Sequence, residues 1–124
     1  MVYEAWKQNN NSVLLAVDTK TNFFKDKADH FTSLQSINDY RKLIDYLKHV
    51  KREADKANFK NQKLNCSYFF IFDECIDYLS KSPSDSKELI SLKHELADLV
   101  THFIRKISRS QNCPVIFGSQ SFSF

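Results

Sequence analysis

Tyr68-Phe69-Phe70-Ile71-Phe72-Asp73-Glu74 is the stretch on which the fold turns. Five large apolar residues run straight into two adjacent carboxylates. A run this short, aromatic and β-branched reads as a strand buried on both faces, and so as a central strand of a parallel sheet. Ligands of such sheets bind beyond the carboxyl ends of the strands, which is where Asp73 and Glu74 then lie. Two readings of the pair stay open at this point: a site for phosphate chemistry, or a strand that ends in a solvated acidic turn.

Working outward, Val13-Leu14-Leu15-Ala16-Val17 is a second apolar run, closed by Asp18-Thr19-Lys20, and Pro114-Val115-Ile116-Phe117 is a third, leading to Gly118-Ser119-Gln120. Residues 21–35 show no clean period. Ile37, Tyr40, Ile44, Leu47, Val50 and Ala54 recur at three- and four-residue steps, which is one helix face, and Ser36 with Asp39 three residues on can cap its start. Residues 58–67 read as a loop. Cys75 to Leu79 reads as a helical turn and Ser80 to Ser84 as a connector. Asp85 followed by Glu88 resembles a capping pair for a second helix. That helix carries Leu89, Leu92, Leu96, Leu99, Val100, Phe103, Ile104 and Ile107 inward, with Arg105, Lys106 and Arg109 in its last turns. Strand, helix, strand, helix, strand predicts an α/β fold of three parallel strands with right-handed crossover helices. The chain reads as a single domain over residues 1–124, with a polar tail at 1–12 and an α/β core at 13–124.

Composition narrows the function classes. A chain of 124 residues suffices for one core, and 42% hydrophobic residues exclude a disordered chain. The net charge of +3 permits a nucleic-acid partner without arguing for one. The basic stripe Arg41, Lys42, Lys48, Lys51, Arg52 and Lys56 reads as a solvated helix face. No apolar run approaches a membrane span, the first residues lack a signal-peptide core, and three scattered cysteines read as reduced thiols, so a cytoplasmic protein is expected. His30, His49, His94 and His102 have no metal-ligand spacing. There is one glycine, Gly118, and no Gly-x-x-x-x-Gly-Lys-Ser/Thr, so this sequence has no loop of its own to cradle a triphosphate.

In a parallel sheet the ends Asp18-Thr19-Lys20, Asp73-Glu74 and Ser119-Gln120 share one edge. A carboxylate pair beside an amide suits water activation and phosphate sensing. In this order the motifs resemble the motor domain of the FtsK/HerA superfamily of DNA-pumping ATPases. The matching elements are Val17-Asp18-Thr19-Lys20, a long helix with a basic end at Val50-Lys51-Arg52-Glu53, and Phe69 to Glu74 with Ile76, Tyr78 and Leu79 after it. A helix ending at Arg109, the strand Val115-Ile116-Phe117 and the pair Ser119-Gln120 complete the set. The resemblance covers about residues 13 to 121.

That resemblance implies the central part of a RecA-like P-loop fold, with the phosphate-loop strand and helix expected before Val13. It implies ATP and magnesium as ligands. Asp73 would hold magnesium through water, Glu74 would be the general base (the Walker B pair), and Gln120 would sense the γ-phosphate. Asp18 and Lys20 would lie near the rim of the nucleotide site, and Arg109 would be a charge at a subunit interface. Implied partners are DNA, further copies in a hexameric ring, or full-length motor subunits, in conjugation, chromosome partition or secretion. Two alternatives stand beside it: a catalytically inactive remnant or interaction domain that binds a full-length motor, and a helicase fragment whose Asp-Glu box is Asp73-Glu74.

Overall fold

The computed structural model describes residues 12–18, 25–26, 28–64, 67–73, 78–111 and 113–117. Four strands, β1 (Ser12–Asp18), β2 (His30–Ser33), β3 (Ser67–Phe72) and β4 (Val115–Phe117), form one sheet in the order β2-β1-β3-β4. Every pairing is parallel. Helix α1 (Ile37–Phe59) joins β2 to β3, and α2 (Lys87–His102) lies between β3 and β4. The fold is therefore α/β, with four strands among the described residues rather than the expected three. The additional strand is β2, which among the described residues pairs only with β1. An edge strand of four residues needs no apolar run on two faces, so His30-Phe31-Thr32-Ser33 carries no such signature.

The inner strands are buried on both faces. Leu15, Val17, Phe70 and Phe72 point to one side, and Leu14, Ala16 and Phe69, also buried, alternate to the other. The first set packs against both helices. Phe70 meets Phe103 with ring centroids 5.0 Å apart and tilted, a favoured aromatic arrangement. Both crossovers move across the sheet in the same direction, from β2 past β1 to β3 and then on to β4. A common hand therefore puts both helices on one face, where they pack side by side.

Helix α1 starts where its capping residues demand. Ser36 Oγ accepts from the Asp39 N–H at 3.3 Å, while Asp39 Oδ2 accepts from the Ser36 N–H at 2.9 Å, a reciprocal capping box. Tyr40, Leu43, Ile44, Leu47, Val50 and Ala54 form its buried face, each large side chain contributing about 1.5–3 kcal/mol on burial. The helix ends in a Schellman motif. Asn61 takes the left-handed conformation at φ 53°, Gln62 N–H donates to Ala57 O at 2.8 Å, and Asn61 N–H donates to Asn58 O at 3.1 Å. It thus runs to Phe59, two residues into the expected loop.

Helix α2 departs from expectation twice. Its cap is Ser86, whose Oγ accepts from the Leu89 N–H at 3.1 Å; Asp85 instead bonds to Lys93. After His102 the helix passes through a π turn, Phe103–Ile107, before a last turn at Ser108–Ser110. The wider turn shifts the register by about one residue. Phe103 and Ile107 stay buried, but Ile104, expected inward, is 40% exposed.

Two ion pairs and a histidine–carboxylate contact follow the seam between the helices: Arg41–Glu88, Lys48–Glu95 at 3.1 Å and Asp55–His102 at 3.4 Å. Each joins residues with the same offset, and each lies one heptad below the last, as two parallel helices packed at a shallow angle require. No helix among the described residues is long and apolar enough to cross a membrane. Cys113 is a buried thiol outside any disulfide; Cys66 and Cys75 lie outside the described residues.

Candidate functional site

The carboxyl edge of the sheet is built from β1 and β3. Their ladder pairs Ala16 with Ile71 and Val17 with Phe72, and the Asp73 N–H donates to Val17 O at 2.9 Å, one rung further. Asp18 and Asp73 are thereby neighbours at the ends of adjacent strands. On its other side Asp18 pairs with Ser33 of β2, and its carbonyl accepts the Leu34 N–H at 2.9 Å. The chain leaves β1 toward β2 and later crosses back over β1 to β3. The gap between β1 and β3 is thus the point where the strand order reverses, the place where open α/β sheets bind ligands.

Burial distinguishes the two aspartates. Asp18 is 0% exposed, whereas Asp73 is half-buried. The alternation that turns Leu15 and Val17 toward the helices sends Asp18 to the opposite face of the sheet. Glu74, Lys20 and Gln120, with Thr19 and Ser119, lie outside the described residues. β4 runs beside β3 with Phe117 opposite Phe72, so Gln120 follows by three residues the strand next to Asp73.

Arg109 is not brought to this edge. It is exposed in the last turn after α2, next to Ser110, whose Oγ accepts from Asn58 Nδ2 at 2.9 Å near the end of α1. That is the amino edge of the sheet, at the far end of both helices.

A polar cluster that sequence reading missed stands at the helix starts, just below the carboxyl edge. Lys93 Nζ, buried on the inner face of α2, donates to Asp85 Oδ2 at 2.8 Å and to Ser80 O at 2.9 Å. Tyr40 Oη donates to Tyr78 O at 3.2 Å. The Lys93 ammonium and the Ser82 N–H hold the Asp85 carboxyl below its ordinary value, against the opposing effect of burial. Burial, reinforced by the Asp85 charge, pushes the Tyr40 phenol up to about 12. Together these bonds pin residues 78–86, the segment that follows Asp73-Glu74. A lysine at a position flanked by Leu89, Leu92 and Leu96 on the apolar face is the signal that could have found it.

Magnesium is held through one or two carboxylates and the phosphate oxygens of its ligand, keeping several waters. Asp73, half-buried at the end of β3, is a carboxylate of that kind, whereas Asp18 beside it is wholly buried. Among the described residues no cluster of three His, Cys, Asp or Glu side chains forms an all-protein metal cage. Two surface recesses lie at the other end of the molecule, around the end of α1. No family model, no curated protein and no solved structure matches the chain.

Proposed function

We propose that this chain is the central part of an FtsK/HerA-type DNA-translocating motor with a RecA-like fold, and that its carboxyl edge faces the phosphates of ATP. The observation that carries the reading is the adjacency of Asp18 and Asp73 across β1 and β3, at the reversal of strand order. Three motif-bearing strands lie side by side and parallel, so their carboxyl ends share one edge. In this reading Asp73 holds magnesium through water, Glu74 takes the proton of the attacking water, and Gln120 senses the γ-phosphate. Asp18 and Lys20 flank the site from β1. Bound magnesium would neutralise charge developing on the phosphoryl oxygens. Arg109, remote from Asp73 in its own chain, serves the reading only as a charge presented across an interface to another copy in a hexameric ring on DNA.

A phosphate loop has to come from elsewhere, since the sequence holds one glycine. ATP hydrolysis is therefore measured with the chain alone and with a motor subunit that bears the loop. Hydrolysis in the mixture that Glu74→Gln abolishes supports the proposal. Hydrolysis that ignores Glu74→Gln, or none in any assembly, overturns it.

The same missing loop favours a second reading, a catalytically inactive domain that binds a full-length motor. Co-purification with motor subunits that persists in Glu74→Gln, without hydrolysis that depends on this chain, is its signature.

A further inference from the structure

The amino edge of the molecule carries a charge distribution that the nucleotide reading, Arg109 apart, leaves unused. Residues 51–63 hold five cations and two carboxylates, and residues 103–111 add three cations and no carboxylate. The rest of the chain then has ten cations against thirteen carboxylates. The net positive charge is thus concentrated at one end of a molecule that is otherwise acidic. Helix α1 has 23 residues and so spans about 34 Å, which carries this end well away from Asp18 and Asp73.

Ion pairing separates the two halves of the α1 stripe. Arg41 and Lys48 are engaged by Glu88 and Glu95 of α2. Below them Lys51 bonds Asp55 at 3.1 Å, and that carboxylate also meets His102. Burial works against the Asp55 charge, but hydrogen bonds from Lys51 and His102 prevail and hold its carboxyl below the ordinary range. Arg52 and Lys60 are exposed, and Lys56 reaches Glu53 only at 3.9 Å. Neutralising the dipoles of two helix ends does not require so many cations. Lys63 bonds a terminal carbonyl, that of Ser110.

Among these cations stands Phe59, 88% exposed at the last position of α1. Arg52, Lys56 and Phe59 recur at four and three residues, so they share one helix face. With Asp55 and Lys60 they line a recess of about 350 Å³. An almost fully exposed ring flanked by cations is the pairing single-stranded nucleic acid binders use: the ring stacks on a base while the cations follow the phosphates.

We propose that the end of α1 is a binding surface for single-stranded nucleic acid, with a base stacked on Phe59 and phosphates contacted by Arg52, Lys56 and Lys60. The surface does not rest on the motor reading, because it uses none of the carboxyl-edge residues. Arg105, Lys106 and Arg109 extend the positive field from the neighbouring helix end.

The test is fluorescence anisotropy of the whole chain with a dye-labelled oligothymidylate of about twenty nucleotides, at salt from about 50 to about 200 mM. Binding should weaken steeply with salt. Phe59→Ala should weaken it about tenfold with the salt slope unchanged. Lys56→Ala with Lys60→Ala should flatten the log–log slope by about 1.4, two contacts at about 0.7 each. All three side chains are exposed, and an unchanged circular dichroism spectrum shows that the variants fold. Absence of binding at the lowest salt overturns the proposal. So does binding that Phe59→Ala leaves intact, or a duplex of the same length bound as tightly as the single strand.

Discussion

The Asp73 N–H donates to the Val17 carbonyl at 2.9 Å, so the β1–β3 ladder continues one rung beyond its last strand pair and carries Asp73 alongside Asp18. Position and burial then assign the two carboxylates different duties. A wholly buried carboxylate persists only where its surroundings satisfy it. Asp18→Ala should therefore cost about 1–3 kcal/mol in urea unfolding, and Asp73→Ala about 0.5 kcal/mol or less. In an assembly that hydrolyses ATP, Asp73→Asn should lower the rate while leaving the unfolding midpoint nearly unchanged.

The π turn makes two isoleucines unequal that helical periodicity treats alike. Ile107 is fully buried, whereas Ile104 is 40% exposed. Ile107→Ala should cost about 2–5 kcal/mol, and Ile104→Ala should stay within about 0.5 kcal/mol. Equal losses in chemical denaturation would mean that α2 continues as a regular helix.

Asp85 sets an acid limb. Its carboxyl lies below 3.8 in the folded chain, so the unfolded chain binds more protons as pH falls. The contribution of Asp85 is present above that value and is lost as pH falls through and below it. Asp39 and Asp55 act in the same direction; at Asp39, hydrogen bonds from Gln35 and Ser36 and the nearby Lys42 charge outweigh burial. Urea midpoints followed from neutral pH into acid should fall less steeply in Asp85→Asn than in the wild type, with a residual slope from the other two.

Tyr40 sets an alkaline limb. Its phenol titrates at about 12 when folded, against 10 for an unperturbed tyrosine. The folded chain holds that proton longer, so stability declines as pH rises from about 10 toward 12. Ultraviolet titration of tyrosinate should show a late-ionising component that Tyr40→Phe removes, and the variant should lose less stability over the same range.

How much was legible follows from the physics of each element. Val13 to Val17 and Tyr68 to Phe72 announced themselves because strands buried on two faces must be apolar throughout. Helix α1 was readable from its period together with Ser36 and Asp39, since local bonds define its start. β2 was not readable, because one-sided pairing at an edge makes no demand for an apolar run. The π turn was hidden because the apolar period continues through it; only the packed helix shows the slip at Ile104. Lys93 reads as a surface residue until Asp85 and Ser80 are found around it. At the candidate site, parallel strands already implied one shared edge, but the adjacency of Asp18 and Asp73 is a matter of strand order and register, which no local pattern encodes. The heptad polar residues at 41, 48 and 55 and at 88, 95 and 102 are visible in the chain. Their pairing depends on how far one helix slides along the other.

Where α1 ends, Gln111 is almost wholly buried and acts as a clasp. Its Nε2 donates to Asn58 Oδ1 at 2.6 Å and to Gln62 O at 2.9 Å, and its Oε1 accepts the Leu64 N–H at 2.8 Å. These partners are 47 to 53 residues away along the chain. Such contacts close only after the long loops between them have been ordered, so they form late on any folding route. The Leu64 amide, in a segment with no secondary structure of its own, should exchange with solvent as slowly as the strands do. Its protection in hydrogen exchange therefore clocks the final docking of the second helix end, and Gln111→Ala should release it while the β1–β3 amides remain protected.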